Sequence, residues 1–307
     1  MLCNKFDADH IQKLQKQTVK VDGWDTGYKY FTNGCDLSLS LALDGFTFYE
    51  SLGKRRSKNQ YNTWLIIAMI NNIDPLTWSK RQSIMILGVI PGPGSPKDMN
   101  FYLHWLSDEL WYLSISIITW DAACQEWFLL WAFLLFIIGD MPVIAYIMNM
   151  KWHNGIHPCH ACYIAGVWNA ADGQTTYYPA IIQPGTGVQW DIQSLLTDRS
   201  QSYETFVKDV KEIQELAESG SRAAYERAQK DTGINGWSVL LDIGSIDFGW
   251  SFPHDLMHLA GLNTIPNLLL LWTGRFKSLG HDQGTGNYLI TPKDWETVGH
   301  CTIHQEK

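Results

Sequence analysis

The chain is poor in the features that would mark it as secreted, strongly basic or membrane-spanning. Its six cysteines (3, 35, 124, 159, 162 and 301) are too few and too irregularly spaced over 307 residues for a disulfide scaffold. The opening stretch MLCNKFDADH is polar and offers no secretory leader. Both features imply a reducing intracellular setting with free or metal-bound thiols. A basic surplus is missing as well. The 23 Lys and Arg stand against 31 Asp and Glu, a net charge of −8, so no global field recruits nucleic acid or acidic membrane. Any nucleic-acid contact must then come from a local patch. KRRSK supplies the one dense cluster, Lys54, Arg55, Arg56 and Lys58, which reads either as a phosphate-backbone contact or as a solvated loop.

Long apolar runs are also lacking. Phe128–Tyr146 carries one charge, but its unbroken part, Phe128–Ile138, is only about half of the ~20 residues a spanning helix needs. Gly139-Asp140-Met141-Pro142 then interrupts it, and a carboxylate at mid-membrane costs ~2.5–3.5 kcal/mol. A buried strand ending at Gly139, followed by a helix opened by Asp140 and Pro142, accounts for every residue without a membrane. A membrane protein built around 128–146 is the weaker alternative.

What is present suits a globular core: 46% hydrophobic and 18% charged residues, with 15 Trp. LSLSLALDG alternates strictly, with Leu37, Leu39, Leu41 and Leu43 on one face and Ser38, Ser40, Ala42 and Asp44 on the other. Tyr61–Ile70 and Ser83–Ile90 read as two further strands, buried on both sides, and PGPGSP (91–96) stops the second. Asn100–Leu113 has helical spacing. Phe128–Gly139 reads as the next strand, with a small extra one near Ile115–Ile118, and Pro142–Met150 as a helix. Three strands, a helix and a strand is the order of an α/β, RNase H-like mixed sheet with flanking helices. In that fold one acid ends the first strand and another the fourth, where this chain has Asp44 and Asp140. Two carboxylates at neighbouring strand ends can hold hard divalent cations, which activate water for phosphodiester cleavage. Taken singly, Asp140 reads as a helix cap before Pro142 and Asp44 as a turn residue beside Gly45. Both readings stand at this point.

A second constellation is KWHNGIHPCHAC. Cys159 and Cys162, with His153, His157 and His160 nearby, offer sulfur and imidazole ligands suited to tetrahedral Zn²⁺. A single C-x-x-C supplies two ligands, and a histidine-rich loop with free thiols is the alternative. From Tyr203 the chain is helical and charged, with Phe206, Val210, Ile213 and Ala217 in a stripe, a break at Gly220, and a second helix to Lys230. In SFPHDLMHLAGL, Asp255 and His258 lie one helical turn apart beside His254, either as an accessory metal or phosphate site or as a capping Asp with a packed His.

The stretches LSLSLALDGFTFYE, VIPGPGSPKDMNFYLHWLSDEL, IIGDMPVIAYIMNMKWHN, PCHACYIAGV, SFPHDLMHLAGLNTIPNLLLLWTGRF and YLITPKDWETVG together resemble the transposase of fungal CACTA (En/Spm-type) DNA transposons. They occur in that family's order from about residue 36 to 300. The resemblance implies a DDE-type RNase H-like core that cuts and joins DNA at transposon ends with Mg²⁺ or Mn²⁺, in the nucleus where it functions. It maps the first two acids onto Asp44 and Asp140, the Cys/His cluster onto His153, Cys159 and Cys162, and a D-x-x-H motif onto Asp255 and His258. The chain departs from the family pattern in three places. Trp152 replaces a Gly, Trp131 replaces an Arg, and no Glu after Glu296 matches the third acid. The expectation is a partial or decayed copy without strand transfer, or a non-catalytic binding remnant. The implied organisation is an N-terminal segment (1–35), a first core part (36–150), an insertion with the Cys/His loop and charged helices (151–236), and a C-terminal core part (237–307).

Overall fold

The computed structural model describes residues 9–47, 62–78, 80–92, 95–151, 156–157, 159–161, 168–169, 174–175, 203–275 and 289–303. Internal contacts divide the chain into two units, Met1–Pro253 and His254–Lys307.

The first unit is organised by the alternating leucine strand. That strand is β3 (Leu37–Thr47), following helix α1 (Asp9–Leu14) and a hairpin of β1 (Thr18–Val21) and β2 (Trp24–Lys29). It pairs antiparallel with β4 (Asn62–Ile70), which pairs antiparallel with β5 (Ile84–Ile90) after a short helix α2 (Pro75–Trp78). On its other side β3 pairs in parallel with β8 (Ala132–Ile138), so the sheet runs β5-β4-β3-β8. The leucine face of β3 packs with Trp64, Ile66 and Ala68 of β4 and with Leu103 and Leu110 of helix α3 (Met99–Ile115). The opposite face keeps its serines. Ser38 and Ser40 are fully buried because Asn71 bonds to both hydroxyls, at 3.0 and 2.9 Å. A buried polar group without a partner costs on the order of 1–3 kcal/mol, so this closed pattern fixes the register of β3 on β4.

Two strand expectations are corrected. Ile84–Ile90 is an edge strand with Ile86, Leu87 and Val89 exposed, not a strand buried on both sides, because β4 is its only partner among the described residues. Phe128–Gly139 is two strands. An antiparallel hairpin of β6 (Ile117–Asp121) and β7 (Glu126–Leu130) precedes β8, and Trp131 breaks the run. A hydrophobic run alone carries no signal for that break. Trp131 stacks flat on Tyr28 at 4.0 Å, and its carbonyl accepts from the Leu37 N–H at 2.8 Å.

Phe133 and Leu135 of β8 form a second core cluster with Ile11, Val19, Val21 and Tyr30 of the N-terminal elements. Helix α4 (Met141–Ile147) follows β8, and a two-rung hairpin joins β9 (Trp168–Asn169) to β10 (Gln174–Thr175). The charged segment forms α5 (Tyr203–Glu218) and α6 (Arg222–Thr232), broken at Gly220 as its spacing predicts. Phe206, Val210 and Ile213 are buried in the main core, whereas Ala217 is exposed. The second unit has a π-helical turn at Met257–Thr264, then α7 (Ile265–Trp272) and α8 (Pro292–Ile303). Phe128–Tyr146 folds as strand, strand and helix, and among the described residues no helix is long and apolar enough to cross a membrane.

Candidate functional site

The site is built by the parallel pairing of β3 with β8. Ala42 lies opposite Ile138, the last rung of the ladder. Beyond it the two chains stay close. A methyl group added at Gly139 would come within 3.3 Å of the Leu43 carbonyl oxygen and 2.7 Å of Val143 Cγ1. A Cβ there would be tight against β3 and would clash with Val143 of the helix that follows. Asp44 follows Leu43 and Asp140 follows Gly139, so each acid is one step past that contact. Because side chains alternate along strands, Asp44 continues the Ser40–Ala42 side of β3. Asp140 follows the end of β8, but Asp44 does not end its strand as the alternation suggested: β3 runs on to Thr47, and Asp44 pairs with Leu65 of β4.

Their surroundings differ. Asp44 is exposed, within a strand that runs on to Thr47. Asp140 is half-buried and caps α4: its Oδ1 accepts from the Val143 N–H at 2.8 Å, with Pro142 in the first turn. Capping satisfies an orphan helix N–H and uses one carboxylate oxygen, leaving Oδ2 for another partner. The cap and the cation-ligand readings of Asp140 are therefore compatible. A cleft of about 500 Å³ lies elsewhere, among β1, α3 and residues 239–245, and neither acid lines it.

The Cys/His loop is described in part. His153 and Cys162 lie outside the described residues, as do Lys54, Arg55, Arg56 and Lys58. His160 is buried, with Nε2 3.0 Å from the Phe252 carbonyl, and the His157 carbonyl sits 2.8 Å from where a Cβ on Gly233 would be. Gly233 ends α6 with a φ of 78°. A side chain there would be strained in conformation and also clash with the loop. The loop is thus fastened at two points, with His157 and the half-exposed Cys159 between them. Among the described residues no three His, Cys, Asp or Glu side chains converge on a cation position.

In the second unit Asp255 caps the π-helical turn. Its Oδ1 accepts from the Met257 and His258 N–H groups at 2.8 and 3.2 Å, and its Oδ2 lies 2.6 Å from His258 Nδ1. Burial pushes the Asp255 carboxyl up, but these bonds outweigh it and hold the group below its ordinary value.

Sequence reasoning missed a third polar pair, Tyr28 with Asp36. The Tyr28 hydroxyl bonds to both Asp36 oxygens at 3.0 and 2.8 Å, immediately before β3 begins. Burial and then the neighbouring carboxylate push the tyrosine up to about 12. Burial also raises the Asp36 carboxyl. No local spacing announces this pair, since the two residues meet only once the hairpin folds over the start of β3.

A mixed four-stranded sheet with flanking helices defines an α/β protein. The family model described as transposase family tnp2 matches residues 16–178, more than half of the chain. The chain belongs to that transposase family. Comparison with curated proteins returns no match.

Proposed function

We propose that this chain carries the acid pair of a DDE-type transposase core, of RNase H-like fold and of the CACTA (En/Spm-type) group found in fungi, with DNA at transposon ends as its partner. The observation that supports the reading is the parallel β3–β8 ladder, whose last rung, Ala42 with Ile138, leaves Asp44 and Asp140 each two residues further along. The sheet order, with antiparallel β5-β4-β3 and a parallel β8, supports the fold assignment. Asp44 and Asp140 would hold a Mg²⁺ or Mn²⁺ ion, hard cations that favour carboxylate oxygen. Such an ion supplies the charge that activates water and steadies the leaving oxygen. The α4 cap holds the Asp140 carboxylate in one orientation. Positioning of this kind accounts for much of the catalysis of phosphoryl transfer.

Two acids complete one cation position, and a two-metal mechanism needs a further carboxylate. The 307-residue chain should therefore bind Mn²⁺ weakly and show no cleavage of DNA carrying transposon ends. The first test is the Mn²⁺-dependent rise in Tm, which should disappear in both Asp44→Asn and Asp140→Asn. An undiminished rise in both variants would refute the carboxylate site. The second is nicking in Mg²⁺ or Mn²⁺. Robust nicking lost in Asp140→Asn would overturn the inactivity and reveal another ligand, whereas DNA binding without any cation response would favour a non-catalytic remnant.

The Cys/His loop is proposed to hold a structural Zn²⁺ through Cys159, Cys162 and His153, with His157 as the substitute imidazole. Thiolate and imidazole are the donor types zinc prefers, and His157 and His160, which flank Cys159 in sequence, pack against Gly233 and Phe252. Purified protein should contain about one zinc per chain, and a chelator should lower its Tm. Zinc-free protein indifferent to chelation would refute this.

A further inference from the structure

We propose that strand β5 is a self-association edge, through which two copies of this chain pair antiparallel about a two-fold axis. The two edges of the main sheet are treated differently. Beyond β8, residues 245–251 cover the edge: the Ile137 N–H donates to the Ser251 carbonyl at 2.8 Å and the Ser245 hydroxyl to the Leu134 carbonyl at 2.7 Å. Beyond β5, no described residue takes up the outward backbone groups. An uncovered edge is normally blunted by charge, proline, brevity or a bulge, and β5 has one bulge only, at Leu87, between the Gly88 and Ile86 rungs on β4. Strand β5, IMILGVI, is seven residues long with no charge and no proline.

The character of the strand selects the occupant. β5 exposes apolar side chains toward both faces of the sheet, with Ile86 67% and Val89 56% exposed, so a strand added beside it must be apolar on both faces. β5 is itself such a strand. Beside it runs an apolar groove of about 460 Å³, shared with α3 and lined by Met85, Leu87, Tyr102, Trp105, Leu106 and Leu113. Trp105 and Phe101 on that helix are 73% and 68% exposed. Aromatic side chains bury ~150–250 Å² each. With Met85, Ile86, Leu87 and Val89 of β5, these rings give a second copy a run of exposed apolar side chains to bury, as the core of a stable interface requires. An isologous pairing also closes on itself at two copies. Centred on Leu87, the middle of the strand, it joins two four-stranded sheets into one.

The experiment is analytical ultracentrifugation of the full chain with its variants. A dimer is expected, and Ile86→Lys and Val89→Lys should each yield a monomer at concentrations where the parent is dimeric. Trp24→Ser, on the distant strand β2, should leave the dimer intact. Leu87→Cys should form a covalent dimer under mild oxidation well beyond that of the parent, whose six cysteines set the background. This readout does not depend on the lysine variants folding. A monomeric parent, open-ended oligomers, or a dimer indifferent to the lysines and without the Leu87→Cys cross-link would overturn the proposal.

Discussion

Asp140 has two separable roles, because a helix cap needs an oxygen acceptor and a cation needs a negative charge. Asparagine caps helices about as well as aspartate, whereas alanine at a cap costs ~1 kcal/mol. Asp140→Asn should therefore unfold in urea at nearly the parent midpoint yet lose the Mn²⁺ response, while Asp140→Ala should lose both. Equal destabilisation by the two substitutions would show that its charge matters to the fold itself. The neighbouring Gly139 is hemmed in, since a Cβ there would meet Val143 Cγ1 at 2.7 Å and press on the Leu43 carbonyl at 3.3 Å. The carboxylate interrupting an apolar run was legible in the sequence. The need for glycine before it was not, because it arises from how the first turn of α4 folds back over the end of β8, with Val143 at 2.7 Å.

Pairs of elements bring out what single segments conceal. Tyr28 of β2 reaches Asp36 at the entry to β3, and its hydroxyl titrates near 12 against ~10 in an unfolded chain. A group raised on folding contributes stability that is complete below its unfolded value and lost as pH rises through its folded one. The parent should thus weaken between about pH 10 and pH 12. Tyr28→Phe should lack that alkaline step at the hydroxyl. At pH 7 it should also be less stable by ~1–3 kcal/mol, because Asp36, 2% exposed, loses its main donor. Denaturant midpoints across this range check both effects, and parallel curves for the two proteins would contradict the assignment. Strand existence was legible for β3, β4 and β5, since alternation and apolar runs are local. The split between β7 and β8 was not, because stacking on Tyr28 and pairing of the Trp131 carbonyl are what place the break.

At the scale of the molecule, a net charge of −8 works against binding a polyanion. DNA affinity then has to come from local contacts, and KRRSK supplies four cations in one run. Each phosphate neutralised contributes ~0.9 to the slope of log affinity against log salt. Replacing Lys54, Arg55, Arg56 and Lys58 with alanine should reduce that slope by up to ~4. A slope unchanged within error would place the DNA contact elsewhere on the chain.

The alternation of β3, the apolar strands beside it, the helix start at Asp140 and the charged stripe of α5 follow from residue order, because periodicity and capping act over a few positions. Which acid faces which, which strand lies at an edge, and where a tryptophan breaks a run depend on partners tens of residues away. The sequence lists Asp44, Asp140 and the apolar β5 in full. It took the parallel pairing of β3 with β8 to join strands ninety-odd residues apart, and the position of β5 outermost in the sheet to leave its side chains in water. Strand order is set by long-range backbone pairing and the burial it closes, and no short window of sequence contains both partners.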